Sequence, residues 1–379
     1  MSEYQYYDFK AIDHALTKIE MAALRAISTR AAITTTSFTN HYEWGDLKAD
    51  PLKLLEQYFD ALIYVANWGT REFHLRLPKD LVDVKHLKSI LPGEAASVRS
   101  AGKFVIISFE SEVESDDDWD DGTGWMGSLV SLRSNLLRGD FRCLYLGWLH
   151  SVECHEFSED TLEPPVPASL QELSAPLESL IEFLGIDEDL VEVAASASAP
   201  LKEGPSQKEL ATWVRGLPAN EKDDLLVDFL SESSERCRLE LLQRFQRENA
   251  NAASHGAIER RTVKDLLTAA QLRGDERARQ LSAQRAAVAA QKKAKDEADR
   301  AVYLEGLAKR EKAVWKQVEA YIQQRQPKDY ERAVILLIDL HDLSVRQGDE
   351  TGFQLTVEEL RKTHAAKSAF LRRLAKANL

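Results

Sequence analysis

Residues 61–77 read ALIYVANWGTREFHLRL. An apolar run ends at Ala66, a turn follows around Asn67–Thr70, and Phe73, Leu75 and Leu77 then alternate with Glu72, His74 and Arg76. Period-two alternation after a short glycine-bearing turn marks a β-hairpin whose second strand has one dry face and one wet face. The neighbouring segments fit the same sheet. YQYYDFKAI (4–12) is aromatic and β-favouring, ITTTSFTNHY (33–42) is a threonine-rich β run, and KFVIISFES (103–111) is apolar enough for an internal strand. Helices intervene. Thr17 and Glu20 form a capping box, stapled by Leu16 and Met21, and Asp50 with Pro51 opens DPLKLLEQYFD (50–60). The fold class that follows is an α+β N-terminal domain with an antiparallel or mixed sheet, and then all-helical sequence.

WMGSLVSLRSNLLRGDFRCLYLGWLHSV (125–152) spaces its leucines as helices packed on that sheet. FSEDTLEPPVPASL (157–170) is acidic and proline-bearing, so the α+β domain is expected over 1–158 with a linker at 159–168. Beyond it the apolar period is 3.6. Leu170, Leu173, Leu177, Leu180, Ile181 and Leu184 share a face, and Ser206 with Glu209 makes a second capping box, giving a small helical domain over 169–248. ENANAASHGAI (248–258) is rich in small residues and marks a second linker, 249–261. Residues 262–310 are rich in Ala, Arg, Lys, Glu and Gln without proline, which predicts one long charged helix. In DYERAVILLIDLHDL (329–343), Ala333–Ile338 are all apolar; such a helix needs neighbours on every side. Helical sequence on either side completes a C-terminal bundle over 311–379.

Composition narrows the function class. Among 379 residues, 44% are apolar and 29% charged, which are globular values, and three cysteines make no disulfide framework. MSEYQYYDFK lacks a basic segment followed by an apolar run, and no stretch is long and apolar enough to span a bilayer, so a cytoplasmic chain is expected. The net charge of −13 is unevenly spread. Residues 259–379 hold 25 Lys plus Arg against 18 Asp plus Glu (net +7), leaving 24 against 44 (net −20) in residues 1–258. The acidic front should avoid nucleic acid and anionic membranes. In residues 259–300, 11 basic residues are interleaved with 7 acidic ones and stacking aromatics are absent, so a solvated spacer is expected rather than direct nucleic-acid binding.

Several motifs bear on chemistry. From Glu110 to Asp121, eight of twelve residues are carboxylates. Calcium ligands at Asp116, Asp118 and Asp120 would need Gly at the sixth position and Glu at the twelfth, where Asp121 and Gly127 stand. A solvated loop, or a docking surface for a basic partner through Asp116, Asp117 and Asp118 with Trp119 or Trp125 as anchor, fits better. Cys143, His150, Cys154 and His155 lack a C-x(2–4)-C pair, and adjacent Cys154 and His155 diverge on a helix. GTGWMG (122–127) lacks the lysine of a phosphate loop. No cofactor or metal is expected. His41, Glu43 and Asp46 in HYEWGD (41–46) supply an acid–base set for a hydrolase reading, against equally good roles at a strand end and turn.

PKDYERAVILLIDLHDL, continued by THAAKSAFLRRLAKANL, resembles the terminal helical module of bacterial SWIM zinc-finger proteins over about the last fifty residues. YQYYDFKAID, SFTNHYEWGDLKADP and YVANWGTR resemble a group of uncharacterised bacterial proteins often encoded beside SWIM proteins and helicase-like ATPases. The finger itself, C-x-C followed by C-x-H, is missing, so its metal and nucleic-acid roles do not carry over. The resemblance implies a SWIM protein or helicase-like ATPase as partner. The expectation is a non-enzymatic adaptor docking through its C-terminal helices, with Trp315, Tyr330 and Leu336 as contact residues; the alternative is the hydrolase.

Overall fold

The computed structural model describes residues 3–113, 120–200, 207–231, 241, 244–245 and 260–379. The chain divides into two compact units, 1–276 and 277–379, and the boundary falls inside one helix.

The first unit is built on a seven-stranded antiparallel sheet of order β2-β3-β1-β4-β5-β7-β6. The strands are β1 (Gln5–Lys10), β2 (Ala32–Ile33), β3 (Ser37–Tyr42), β4 (Ala61–Ala66), β5 (Thr70–Pro78), β6 (Ala96–Ala101) and β7 (Phe104–Glu112). Helix α1 (Lys18–Ile27) carries the capping box read from Thr17 and Glu20, and α2 (Pro51–Tyr58) is capped by Asp50 with Pro51 in its first turn. Then come α3 (Val84–Ile90), α4 (Trp125–Leu129), α5 (Ser131–Leu137), α6 (Arg142–Glu153), α7 (Ala175–Leu184), α8 (Glu188–Ser196), α9 (Gln207–Gly216), α10 (Ala219–Ser231) and α11 (Val263–Ala308).

Every position of β4 is buried, so this strand faces a core on both sides. Ala61, Ile63 and Val65 join Phe73, Leu75, Leu77, Ile107 and Phe109 beneath α3–α8 and the start of α11. Leu62 and Tyr64 join Phe9, Phe38 and Phe59 beneath α1 and α2. This corrects the single wet face expected for β5, where His74 is fully buried and Arg76 nearly so. The face is covered because the apolar residues of α2, Leu54 and Leu55, need a surface to pack on and take this one.

Burying that face obliges its polar groups to pair. Asp60, just before β4, accepts backbone N–H from Ile12 (2.6 Å) and Asp13 (2.9 Å) on one oxygen. Its other oxygen meets Arg76 at 2.9 Å and Arg133 of α5 at 3.6 Å. Arg76 also donates to the Glu56 carbonyl at the end of α2, and Arg133 to the Arg76 carbonyl and to Asp13. Burial alone would push the Asp60 carboxyl up; the Asp13 and Ile12 amides with Arg133 and Arg76 outweigh it and hold it below its ordinary value.

The segment read as a linker at 159–168 is pinned. Leu162 bridges to Thr262, and buried Glu163 pairs with Arg261 at 2.7 Å and accepts from the Tyr145 hydroxyl. Leu177, Leu180, Phe183, Leu190, Ala194 and, from α11, Val263 and Leu266 belong to the sheet's own cluster, so α7 and α8 share that core instead of building another. The signal read as a boundary is local, whereas these helices owe their place to long-range packing. Ser206 and most of the 249–261 linker lie outside the described residues.

In the second unit, the end of α11 is followed by α12 (Glu311–Gln324), α13 (Pro327–Gln347), α14 (Glu350–Thr363) and α15 (Ser368–Lys376), around a cluster centred on Val318, Ile322, Leu337, Leu340 and Phe370. Between α12 and α13 the chain turns at Arg325, whose backbone is left-handed. Among the described residues, no helix is long and apolar enough to cross a membrane.

One contact tests the packing of α6 on the sheet. A Cβ added to Gly147 would stand 2.6 Å from Phe109 Cε1 and 3.0 Å from the Ala96 Cβ. Gly147→Ala gains up to ~1 kcal/mol of helix propensity, but overpacking a full core costs roughly 1–3 kcal/mol. The urea midpoint of the first unit is expected to fall; an unchanged or higher midpoint would show that α6 does not sit this close.

Candidate interaction surface

The tail helix read as oily on every side is amphipathic in place. Tyr330, Ala333, Val334, Leu337, Leu340 and Leu343 face the second unit's core. Ile335 (58% exposed), Ile338 (39%) and Val345 (49%) face outward at i, i+3 and i+10, one strip of the helix surface. The unit thus covers most of this helix itself, and its burial alone calls for no partner. The expected contact residues are correspondingly placed. Tyr330 is buried against Phe370, ring centroids 5.9 Å apart; Trp315 is half-buried against Phe353 at 5.8 Å; Leu336 is half-buried on the same cluster. These three pack within the unit, and Ile335, Ile338 and Val345 are the exposed large apolar residues of α13.

The helix is fixed in rotation by charge. Buried Asp339 accepts from the Tyr303 hydroxyl (2.7 Å) and pairs with Arg300 (2.6 Å), and Arg300 also reaches Asp342 at 2.7 Å. Arg346 meets Glu305 at 3.0 Å. The C-terminal part of α11 is thereby tied along α13, with Leu304 and Leu307 packed beneath the ion pairs. These contacts leave Ile335 and Ile338 turned away from the core.

At the acidic stretch, Asp116, Asp117, Asp118 and Trp119 lie outside the described residues. Trp125 is internal. Its indole N–H donates to Asp120 (2.7 Å), its ring meets Phe183 edge-on at 5.2 Å, and Arg71 both lies over it and pairs with Asp120 at 3.0 Å. A tryptophan engaged on all these sides is a packing residue and not a free anchor.

Of the hydrolase set, His41, Glu43 and Asp46 are all exposed, and local contacts hold two of them. His41 stacks on Tyr4 with centroids 6.0 Å apart, while Asp46 accepts from the Tyr7 hydroxyl (2.9 Å) and its neighbour's amide. Cys143 is buried in α6, and among the described residues no three His, Cys, Asp or Glu side chains converge as metal ligands. Cys154 does meet a histidine, but it is His150 one turn back (3.6 Å), whose Nε2 also faces the Glu110 carbonyl at 3.0 Å. Burial and the carboxylates of Glu156 and Glu153 push the Cys154 thiol up, the opposite of what a thiolate nucleophile needs.

Two polar constellations escape a reading by motif. One is the Asp60 network. The other follows strand register, in which Phe9, Leu62, His74 and Ser108 stand opposite one another on successive strands and Tyr7, Tyr64, Glu72 and Glu110 form the adjoining row. His74 Nδ1 lies 2.8 Å from the Ser108 hydroxyl and Nε2 lies 3.0 Å from Glu72. The composition is that of a catalytic triad, yet both ring nitrogens are engaged, Ser108 is buried in mid-strand, and an extended strand offers no paired amides for an oxyanion. As it stands the trio joins β5 to β7. The signal that could have exposed both sets is β4 itself, wholly without polar residues and so dry on both faces.

Comparison with protein-family models, with curated proteins and with solved structures returns no match.

One titration is testable at the end of α6. Burial pushes Glu153 up to about 7, against the lowering effect of the Asp187 amide that donates to it. An acid with a raised folded pKa favours folding while protonated, so this contribution fades as pH rises from its ordinary value through about 7. Glu153→Gln is expected to gain stability relative to the wild type between pH 5 and 8, on the order of 1 kcal/mol after solvent screening. A difference that does not change with pH would assign the group an ordinary titration.

Proposed function

We propose that this chain is a non-enzymatic interaction subunit that binds a protein partner through its C-terminal helical unit. The observation that carries the reading is the outward strip Ile335, Ile338 and Val345 on an amphipathic helix whose rotation is fixed by Arg300 and Tyr303. Aliphatic residues held in one orientation on a packed helix suit recognition by an apolar groove or helix face. Stacking of His41 on Tyr4, with the pairing of Asp46 and of the His74 nitrogens within the fold, supports contact over catalysis. The sequence resemblance points to a SWIM zinc-finger protein or helicase-like ATPase as partner. A bacterial cytoplasmic assembly without direct nucleic-acid contact by this chain fits the acid-rich front.

The test is co-purification of the tagged full chain with a co-expressed SWIM protein or helicase-like ATPase encoded beside it. Ile335→Asp/Ile338→Asp is expected to weaken binding at least about tenfold while leaving the far-UV circular dichroism unchanged, because burying an unpaired carboxylate costs more than the lost apolar contact contributes. Failure of the wild type to bind either protein, or equal binding by the variant, would contradict the proposal.

A further inference from the structure

A cleft of about 990 Å³ opens in the first unit where the C-terminal end of α2, the loop after β1 and the ends of β5 and β7 meet. Its floor is the buried Arg76 guanidinium, held by Asp60 and the Glu56 carbonyl and stacked over Phe104 at 4.2 Å. Lys79 and Lys103 stand side by side on its wall, since the Lys79 amide donates to the Lys103 carbonyl at 2.9 Å. The Lys103 ammonium lies 5.2 Å from the Phe104 ring centre.

Charge in the cleft is unevenly compensated. Of its carboxylates, Asp13 is taken by Arg133 at 2.6 Å and Glu56 by Arg99 at 2.8 Å, and Asp80 likewise has a partner. No carboxylate among the described residues pairs with the ammonium of Lys79 or Lys103. The region before residue 259 has a net charge of −20, yet here two lysines joined through the backbone line one cleft with no described carboxylate paired to either ammonium. Neighbouring like charges repel unless an anion lies between them.

We propose that this cleft binds a small phosphate monoester, with the phosphate between Lys79 and Lys103 and the organic body against Phe104 and Pro78. A dianionic phosphate gains from both ammoniums at once, as a single carboxylate does not. The volume lies within the range of about 300–1,000 Å³ typical of small-molecule sites. The Arg76–Phe104 stack gives the body of the ligand a flat, pre-formed wall.

The test uses the full chain in isothermal titration at constant ionic strength, with AMP, ribose 5-phosphate and inorganic phosphate as probes. At least one of the two esters is expected to bind, more tightly than inorganic phosphate. Lys79→Ala/Lys103→Ala, two exposed positions whose loss leaves the core intact, should weaken it about tenfold or more, the scale of a lost charge-assisted hydrogen bond. Three results would each overturn the proposal: no binding by either ester, inorganic phosphate binding as tightly as the esters, or a double variant that binds as the wild type does.

Discussion

A carboxylate without exposed surface, Asp60, sits between two guanidiniums at the point where β1, α2, β5 and α5 come together. The first unit depends on it because the sheet is dry on both sides. Once α2 covers the second face, Arg76 loses its water, and an internal anion with several donors offsets the loss. Asp60 is that anion. Its amide contacts to Ile12 and Asp13 fix the loop after β1, and its guanidinium contacts fix β5 and α5. The position of α2 and the cleft beside it follow from the same group, since Arg76 links Asp60 to the end of α2 and forms the cleft floor.

Much of the fold was legible in the sequence, and the reason is local. Capping at Thr17 and Asp50, the 61–77 hairpin and the long helix from 263 are set by residues within a few positions of one another. What escaped depends on distant partners. Glu163 reads as part of an acidic linker until Tyr145 and Arg261 are placed around it. His74 and Arg76 read as solvent-facing because alternation reports which residues share a face but not whether a helix covers it. The six-residue apolar run in α13 reads as fully buried, whereas helical geometry turns Ile335 and Ile338 outward however apolar their neighbours are.

The site residues divide along the same line. Trp125, Trp315 and Tyr330 attract attention as large aromatics, yet large aromatics also fill cores, and these three pack on Phe183, Phe353 and Phe370. The residues that α13 turns outward are aliphatic and sit among similar ones, distinguishable only by exposure. In the second unit Asp339 has a part comparable to that of Asp60 in the first: a buried carboxylate, met by Arg300 and Tyr303, that fixes which face of α13 is presented. In both units a buried acid sets the geometry of the elements around it.

The measurement that bears most directly on this account compares urea unfolding of the first unit in the full chain for the wild type, Asp60→Ala and Asp60→Ala/Arg76→Met/Arg133→Met. Removing the acid alone leaves the buried Arg76 guanidinium without a carboxylate and Arg133 with Asp13 only, and should cost about 3–5 kcal/mol, while removing the charges together should restore a large part of that loss. A loss below about 1 kcal/mol for Asp60→Ala, as for an exposed ion pair, would contradict the claim that this carboxylate holds the unit together.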